Sequence, residues 1–350
     1  MSVKKISMRL SRILKIPSVV RFEQPLLDFL EDYCVKRYSK YEVKQTDRLL
    51  IIKRKNTVSK KILSAHIDRQ GFVVNEEGNL EYASFNARNY YGDKISSDEY
   101  VFKKAVSRYI GEEVFAYDPV TGDELSSGKI IGGRYDFKNK QVIYFTKGFP
   151  LLAEGTPIAL RSKLIMQKNY LYSQIDNAIS IAVILQLMED GFDGTIIFTT
   201  EEEIGFSWKH LRDYFEENKI ITKELIVLDT TPFKYVHAMD RGQILLRNRD
   251  ETGIFNKELV EQVAVICQDN NIPYAFKDEL VREQNIYRKE NNLEKKSYGH
   301  TELGRLVENT DGKINGITIQ IPSVNYHTNQ EMTSFESLSN YYLLLKELLL

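Results

Sequence analysis

Leu26, Phe29, Leu30 and Tyr33 recur at three- and four-residue intervals behind Pro25, which predicts an amphipathic helix with proline in its first turn. Two apolar runs follow, residues 49–52 and 61–66, and both read as strands; the second runs on to Asp68. From residue 70 the pattern changes to short alternating runs, such as 114–117 and 141–145. Turn chemistry at Asp118-Pro119, Thr121-Gly122-Asp123 and Lys138-Asn139 separates them, so residues 70–161 are expected to form an inserted, smaller β domain. Beyond it, apolar stretches alternate between helix and strand length. A helix is predicted over 178–188, closed by Gly191 and Gly194, then a buried strand over 195–199 and another over 225–228. Leu259, Val263, Ile266 and Cys267 mark a helix over 256–269, and residues 317–321 a late strand. Thr333-Ser334-Phe335-Glu336 has capping-box spacing and opens a last helix carrying Leu338, Tyr341, Leu345 and Leu348. The expected fold class is α/β, a mostly parallel-core sheet with helices on both faces. Its domain is discontinuous, 1–69 and 162–350, interrupted by the β insert.

Composition narrows the partners. The 350 residues carry 48 Lys plus Arg against 49 Asp plus Glu, and a net charge of -1 offers nucleic acid no long-range attraction. Hydrophobic residues at 42% suffice for a large core, which excludes disorder as the main state. Cys34 and Cys267 are far apart and lie in helix-like patterns, so a disulfide framework is not expected and a reducing, cytoplasmic setting is. Arg9, Arg12 and Lys15 break up the N-terminal apolar positions, leaving no secretory signal. The best apolar run, 179–188, is interrupted by Ser180 and Gln186 and is too short to span a membrane.

The polar residues at the predicted strand ends form the informative pattern. Ligands of open α/β sheets bind outside the carboxyl ends of strands, and four such ends here carry His66, Glu202-Glu203, Asp229 and His327. Asp176 stands at a helix start in the same layer. Mixed imidazole and carboxylate donors suit zinc or a similar transition ion better than magnesium or calcium. A cation would also relieve the repulsion of so many grouped carboxylates. His66 and Asp68 are two apart on a strand, so Asp68 is placed to accept from the second imidazole nitrogen and fix the ligand tautomer. Of the adjacent glutamates, one can bind metal while its neighbour takes a proton from water. Taken singly, an acidic pair is ordinarily a solvated loop, and Asp229 before Thr230-Thr231-Pro232 could equally cap a turn.

These motifs together resemble metallopeptidase family 42, the dinuclear-metal aminopeptidases that include the tetrahedral (TET), glutamyl and deblocking enzymes. The similarity extends over nearly the whole chain. Ala65-His66-Ile67-Asp68 with Gly71-Phe72 resembles the family's first metal motif, and Ile175-Asp176-Asn177 its bridging aspartate. Thr199-Thr200-Glu201-Glu202-Glu203-Ile204-Gly205 resembles the paired-glutamate motif, Leu228-Asp229 the next ligand, and Ile321-Pro322 with Tyr326-His327 and Glu331-Met332 the closing histidine motif. The resemblance implies a zinc-exopeptidase-like fold and two divalent metal ions, zinc or cobalt, held by His66, Asp176, Glu203, Asp229 and His327. It further implies catalysis by Glu202 as general base with Asp68 behind the metal shell, peptide substrates cut at their N-terminal residues, and a homo-oligomer of dimers assembling into a dodecamer through the insert. The insert's position, between His66 and Asp176, favours this family over the related families 20 and 18.

Departures concern the surroundings of the ligands. Asn177 stands where the family commonly has a second aspartate, a variant that resembles family 28, and Arg69-Gln70 replace an often acidic position. Gly299-His300-Thr301-Glu302 stands for the family's glycine-threonine-aspartate element. Arg69, if it lined the pocket, would favour acidic substrates, and His300 is a second possible substrate contact. His210 and His237 read as structural, and residues 282–296 as a solvated helix and loop. Two other functions share this pattern: a dinuclear deacylase or carboxypeptidase on the same core, and a non-catalytic assembly scaffold, against which the intact ligand set argues.

Overall fold

The computed structural model describes residues 2–84, 106–136, 141–233 and 236–350; the Lys138-Asn139 turn and part of the 70–161 stretch lie outside the described residues. Two helices open the chain. Helix α1 (Ser2–Ile13) buries a stripe of Ile6, Leu10 and Ile13, and α2 (Gln24–Arg37) has Pro25 in its first turn. Of the arginines that break the apolar run, Arg12 is exposed, whereas Arg9 is buried and donates to Gln186 Oε1 (2.5 Å) and to Glu189.

Strands β1 (Tyr41–Gln45) and β2 (Leu49–Arg54) form an antiparallel hairpin, and β3 (Ile62–His66) is buried throughout. Six strands then close a barrel: β4 (Gly71–Val74), β5 (Leu80–Tyr82), β6 (Glu113–Tyr117), β7 (Glu124–Asp136), β8 (Gln141–Lys147) and β9 (Pro157–Leu160), in the order β4-β5-β8-β7-β6-β9. Every pairing is antiparallel, and each of the six strands pairs with two neighbours, which closes the barrel. Phe72, Leu80, Val114, Ile130, Tyr144 and Ile158 fill its interior. Gly71 sits where the chain leaves the main sheet; a Cβ there would lie 2.5 Å from the Val19 side chain and 2.9 Å from the Ile158 carbonyl oxygen, so only glycine permits this approach.

The remaining elements return to the large sheet: β10 (Ile165–Gln167), β11 (Tyr170–Ser173), α3 (Ala178–Asp190), β12 (Thr195–Thr199), α4 (Ser207–Glu217), β13 (Thr222–Pro232), α5 (Val236–Asp240) and β14 (Ile244–Leu246). After them come α6 (Lys257–Asp269), β15 (Tyr274–Phe276), α7 (Lys277–Glu290), α8 (Glu302–Asn309), β16 (Ile314–Ser323), β17 (Glu331–Ser334) and α9 (Phe335–Leu349). The eight-stranded sheet runs β1-β2-β12-β3-β13-β16-β14-β15. Its centre, β12-β3-β13-β16, is parallel, and antiparallel pairs flank it. Helices cover both faces: α1, α3, α6 and α9 pack together in one layer, while α4 and α8 pack together in the other. Helix α3 is buried on every side from Ala178 to Met188, as an element apolar all round must be, and Gly191 ends it in the left-handed conformation. No helix among the described residues is long and apolar enough to cross a membrane.

Two strands are longer than their apolar runs suggest. Strands β13 and β16 stay paired from Thr222 opposite Ile314 to Pro232 opposite Ser323, so Asp229 lies within β13 and not past its end. The β3–β13 pairing stops at Val227 opposite Ser64, which opens a gap beside β13 at the level of Asp229. A separate antiparallel sheet, β10-β11-β17, pairs Ser173 with Glu331 and so draws the Asp176 turn towards the His327 loop.

Candidate metal centre

His66 ends β3, and the buried Asp176 side chain faces it from the turn before α3. The two oxygens of Asp176 divide between two imidazoles: Oδ1 lies 3.3 Å from His66 Nε2, and Oδ2 lies 3.2 Å from His327 Nε2. Asp229 Oδ1 lies 3.5 Å from the same His66 nitrogen, and Glu203 Oε1 3.4 Å from the same His327 nitrogen. One atom each from His66, Asp176 and Glu203 can be chosen so that all three lie within 4.8 Å of one another. Glu202, on the 3-10 turn Glu202–Ile204 beyond β12, is half-buried beside this group.

Both oxygens of Asp176 and Oε1 of Glu203 are buried without a hydrogen-bond donor. Such atoms are costly unless a cation faces them. Burial and the neighbouring Asp176 and Glu202 hold Glu203 well above the usual carboxylate range. Burial, with Asp229, Asp68 and Asp176 nearby, pushes Glu202 up to about 8. Asp176 stays ionised in spite of its burial because His327 and His66 both face it. Burial lowers His327. It also opposes the charged form of His66, but Asp176, Asp229 and Asp68 outweigh it and hold that ring well above the ordinary histidine range. The cluster is thus short of positive charge. An ion bound about 2.0–2.2 Å from tetrahedral ligands needs neighbouring donors about 3.3–3.6 Å apart, close to the separations seen here. The donor set fits a transition-metal site.

Around this centre, other groups hold the donors in place. The Nδ1 of His66 lies 3.1 Å from the Asp68 carbonyl oxygen, which can only accept, so Nδ1 carries the proton and Nε2 is left to face the acids. The Asp68 carboxylate stands 3.5 Å from that nitrogen and instead accepts the backbone N–H groups of Glu202 (3.0 Å) and Glu203 (2.9 Å). Strand β3 ends at His66, so Asp68 lies just beyond it, near enough to face the imidazole edge while its hydrogen bonds go to the glutamate amides. Gln320 donates to Asp229 Oδ2 (2.9 Å) and is itself held by the buried Arg247 (2.7 Å). Asn177 donates to the Leu228 carbonyl (2.8 Å), fastening the Asp176 turn to β13. Glu331 accepts from the backbone N–H groups of Asp176 and His327 and joins the two loops. Glu331-Met332 stands in the closing histidine motif, but sequence reasoning assigned Glu331 no role, because β17 is a short, mostly polar strand that gives no apolar run.

Two expected substrate contacts lie elsewhere. Arg69 is buried, and its guanidinium is committed to Ser18 Oγ (2.8 Å) and the carbonyls of Leu14 and Ile16, so it does not line a pocket at the acids. His300 is exposed on the loop leading into α8, outside the buried cluster. Its neighbours are the structured part of that element. Thr301 caps α8 by accepting from the Gly304 N–H, while Glu302 accepts from Ser64 (2.7 Å) and Thr199 (2.9 Å) beneath the centre.

The sequence profile of the M42 glutamyl aminopeptidase family matches residues 152–344, more than half of the chain and four of the five donors above. The chain belongs to that family, whose members hydrolyse peptide bonds. No curated protein matches it in sequence. Among solved structures it is similar to an aminopeptidase of the archaeon Desulfurococcus kamchatkensis at 15% identity, covering 99% of this chain and 95% of that one with a TM-score of 0.70. It is similar to a TET aminopeptidase from a marine sediment thaumarchaeon at 16% identity, covering 100% and 97%, TM-score 0.71. A third is the Pyrococcus horikoshii TET1 peptidase, which can assemble into a tetrahedron or a large octahedral shell, at 13% identity, covering 98% and 99%, TM-score 0.64. At these identities the likeness speaks for the fold.

Proposed function

We propose that this M42 chain is a dinuclear-metal aminopeptidase with Glu202 as its general base. The observation that carries the reading is the division of Asp176: one oxygen faces His66 and the other His327, each within 3.3 Å. Asp229 adds a second carboxylate on the His66 side and Glu203 on the His327 side. His66 with Asp229 would hold one divalent ion, His327 with Glu203 the other, and Asp176 would bridge them. Imidazole and carboxylate donors suit zinc or cobalt. When bound, such ions supply Lewis-acid polarisation of the scissile carbonyl and activation of the attacking water.

The chain's own groups do the rest. Glu202 takes a proton from the attacking water and returns it to the leaving amine, a contribution on the order of 10² to 10⁴ in rate. Its burial and acidic neighbours raise its proton affinity, which suits a group that must first accept and then donate. Asp68 fixes the backbone of both glutamates, and Gln320 fixes Asp229 through Oδ2, the oxygen that does not face His66. The free α-amine of the substrate would provide exopeptidase selection at the same acids.

We further assign assembly to the barrel of β4 to β9. It exposes Ile110, Leu125, Ile131 and Leu151, apolar side chains that an isolated chain would leave in water. The TET relatives support a closed homo-oligomer, and the two buried free thiols, Cys34 and Cys267, fit a reducing cytoplasm.

The test is Glu202→Gln beside Asp176→Ala, assayed on aminoacyl and N-acylated substrates with zinc or cobalt added back. Glu202→Gln should bind metal and lose nearly all turnover, whereas Asp176→Ala should lose metal itself. Blocking the substrate amine should abolish wild-type turnover. Substantial turnover by Glu202→Gln would remove it as the base, and equal cleavage of acylated substrates would make the chain a deacylase.

A further inference from the structure

Glu23 stands at the start of α2, yet its side chain makes no capping bond to that helix. It is buried, 2% exposed, and its Oε1 accepts the N–H of Arg21 at 2.8 Å and the N–H of Glu201 at 3.2 Å. We propose that Glu23 is a positioning residue for the glutamate pair: with Asp68 it clamps the three consecutive amides of Glu201, Glu202 and Glu203, and so sets where Glu202 and Glu203 point. This rests on the reading of Glu202 and Glu203 as base and metal ligand.

The turn needs such a clamp. Glu201 has φ 63° and ψ 26°, left-handed backbone that a glutamate rarely adopts, and Gly205 ends the turn at φ 72°. The Glu201 side chain is drawn away from the centre by Arg48 (2.9 Å) and His210 (2.8 Å), so its backbone N–H is left to Glu23 while Asp68 takes the next two. Arg305 accepts none of this burden but holds the far end, donating to the Gly205 carbonyl at 2.7 Å.

The platform under Glu23 is rigid. Residues 18–20 run beside the end of the β3 segment: Arg69 N–H donates to the Ser18 carbonyl (2.8 Å), and Val20 N–H donates to the Arg69 carbonyl (3.2 Å). Tyr117 of the barrel donates to the Phe22 carbonyl (3.0 Å) and accepts from the Val19 N–H (3.0 Å). Arg69 ties the same segment with its guanidinium, which gives that buried charge a structural use. A carboxylate presented from so fixed a segment can hold a strained turn in register, as supporting shells do for metal and catalytic groups.

The experiment compares full-length wild type with Glu23→Ala, Glu23→Gln and Glu23→Asp. Steady-state kinetics are measured on an aminoacyl substrate, and visible absorption spectra on protein loaded with cobalt alone. Glu23→Ala should lower kcat about 10- to 100-fold with little change in KM and shift the cobalt bands that report Glu203. Glu23→Gln keeps an acceptor at the same reach and should restore both kcat and spectrum; Glu23→Asp, one methylene short, should fall between and replaces the alanine variant if that one does not fold. Wild-type values in Glu23→Ala, or in Glu23→Asp when it stands in, overturn the proposal, and so does a glutamine variant as impaired as the alanine or aspartate one. A wild-type chain without turnover would refute the aminopeptidase reading instead, and the cobalt spectra would still decide the role of Glu23.

Discussion

Replacing Asp68 by asparagine separates two roles that this side chain could have. Its two oxygens accept the amides of Glu202 and Glu203 at 3.0 and 2.9 Å from a fully buried position. Asparagine keeps one acceptor and turns a donating NH₂ towards the other amide. One buried N–H then goes unsatisfied, which costs about 1–3 kcal/mol; alanine leaves both, about 2–6 kcal/mol, a large share of a stability of about 5–15 kcal/mol. The measurement is urea unfolding of metal-loaded protein, where the bound cations already neutralise the acids and relief of their repulsion does not mask the loss. In parallel, the Nδ1 proton of His66 should remain visible by nitrogen NMR in Asp68→Asn, since it is held by the backbone carbonyl at 3.1 Å. Loss or exchange of that proton, with the unfolding midpoint unchanged, would mean that the carboxylate serves the imidazole and not the glutamate turn.

Metal loading should be coupled to pH through the same ring. His66 gains proton affinity from Asp176, Asp229 and Asp68 against the opposing effect of burial, so in metal-free protein it holds a proton that an ion must displace. Loading cobalt or zinc in weak buffer at neutral pH should release protons, and affinity should fall as pH drops; loading with no proton release would contradict this. In the metal-free protein the raised value acts the other way on stability: the contribution is full below the ordinary histidine range and is lost as pH rises through the folded value. A third expectation concerns assembly. Light scattering at micromolar concentration should find a closed oligomer that Ile131→Glu, placing charge on an exposed apolar position of β7, breaks into smaller species; a wild-type monomer at that concentration would argue against the barrel as an interface.

Much of the fold was legible because burial leaves a periodic trace. The strand over 195–199 has the bounds its apolar run predicts, whereas α9 starts one residue later than the Thr333–Glu336 capping box implies: Thr333 stays in β17 and Ser334 caps the helix by accepting from the Ser337 N–H. Strands β13 and β16 were read short because their ends, Thr222 to Glu224 and Pro322-Ser323, are polar or proline, and only their mutual pairing keeps them in register. Helix α1 escaped notice since its apolar stripe is narrow and arginine-interrupted. His66, Glu203, Asp229 and His327 drew notice as polar residues at predicted strand ends and Asp176 at a helix start, and the structure brings their side chains together although Asp229 lies within β13. Arg69 was misplaced for a plain reason: sequence adjacency to Asp68 says nothing about the neighbouring segment 14–18, which takes its guanidinium.

Hydrogen-bond accounting then sorts the acids in a way that spacing cannot. Asp68 and Glu331 each accept two backbone amides, and Glu23 accepts two more on a single oxygen; such carboxylates are occupied as acceptors and act on the backbone. Asp176 on both oxygens and Glu203 on Oε1 are equally buried and accept nothing. All of these are aspartates and glutamates, and residue type alone does not tell them apart. Asp229 stands between the two groups: its Oδ2 accepts from Gln320 and its Oδ1 from the Thr230 N–H, while Oδ1 also faces His66. The three supporting acids come from the start of α2, the segment after β3 and the start of β17, and each contacts a loop at least 130 residues away in sequence or across the two-loop junction at Asp176 and His327. The near-neutral net charge of -1 therefore conceals a buried acidic centre in which some carboxylates face the two imidazoles and others hold the surrounding loops.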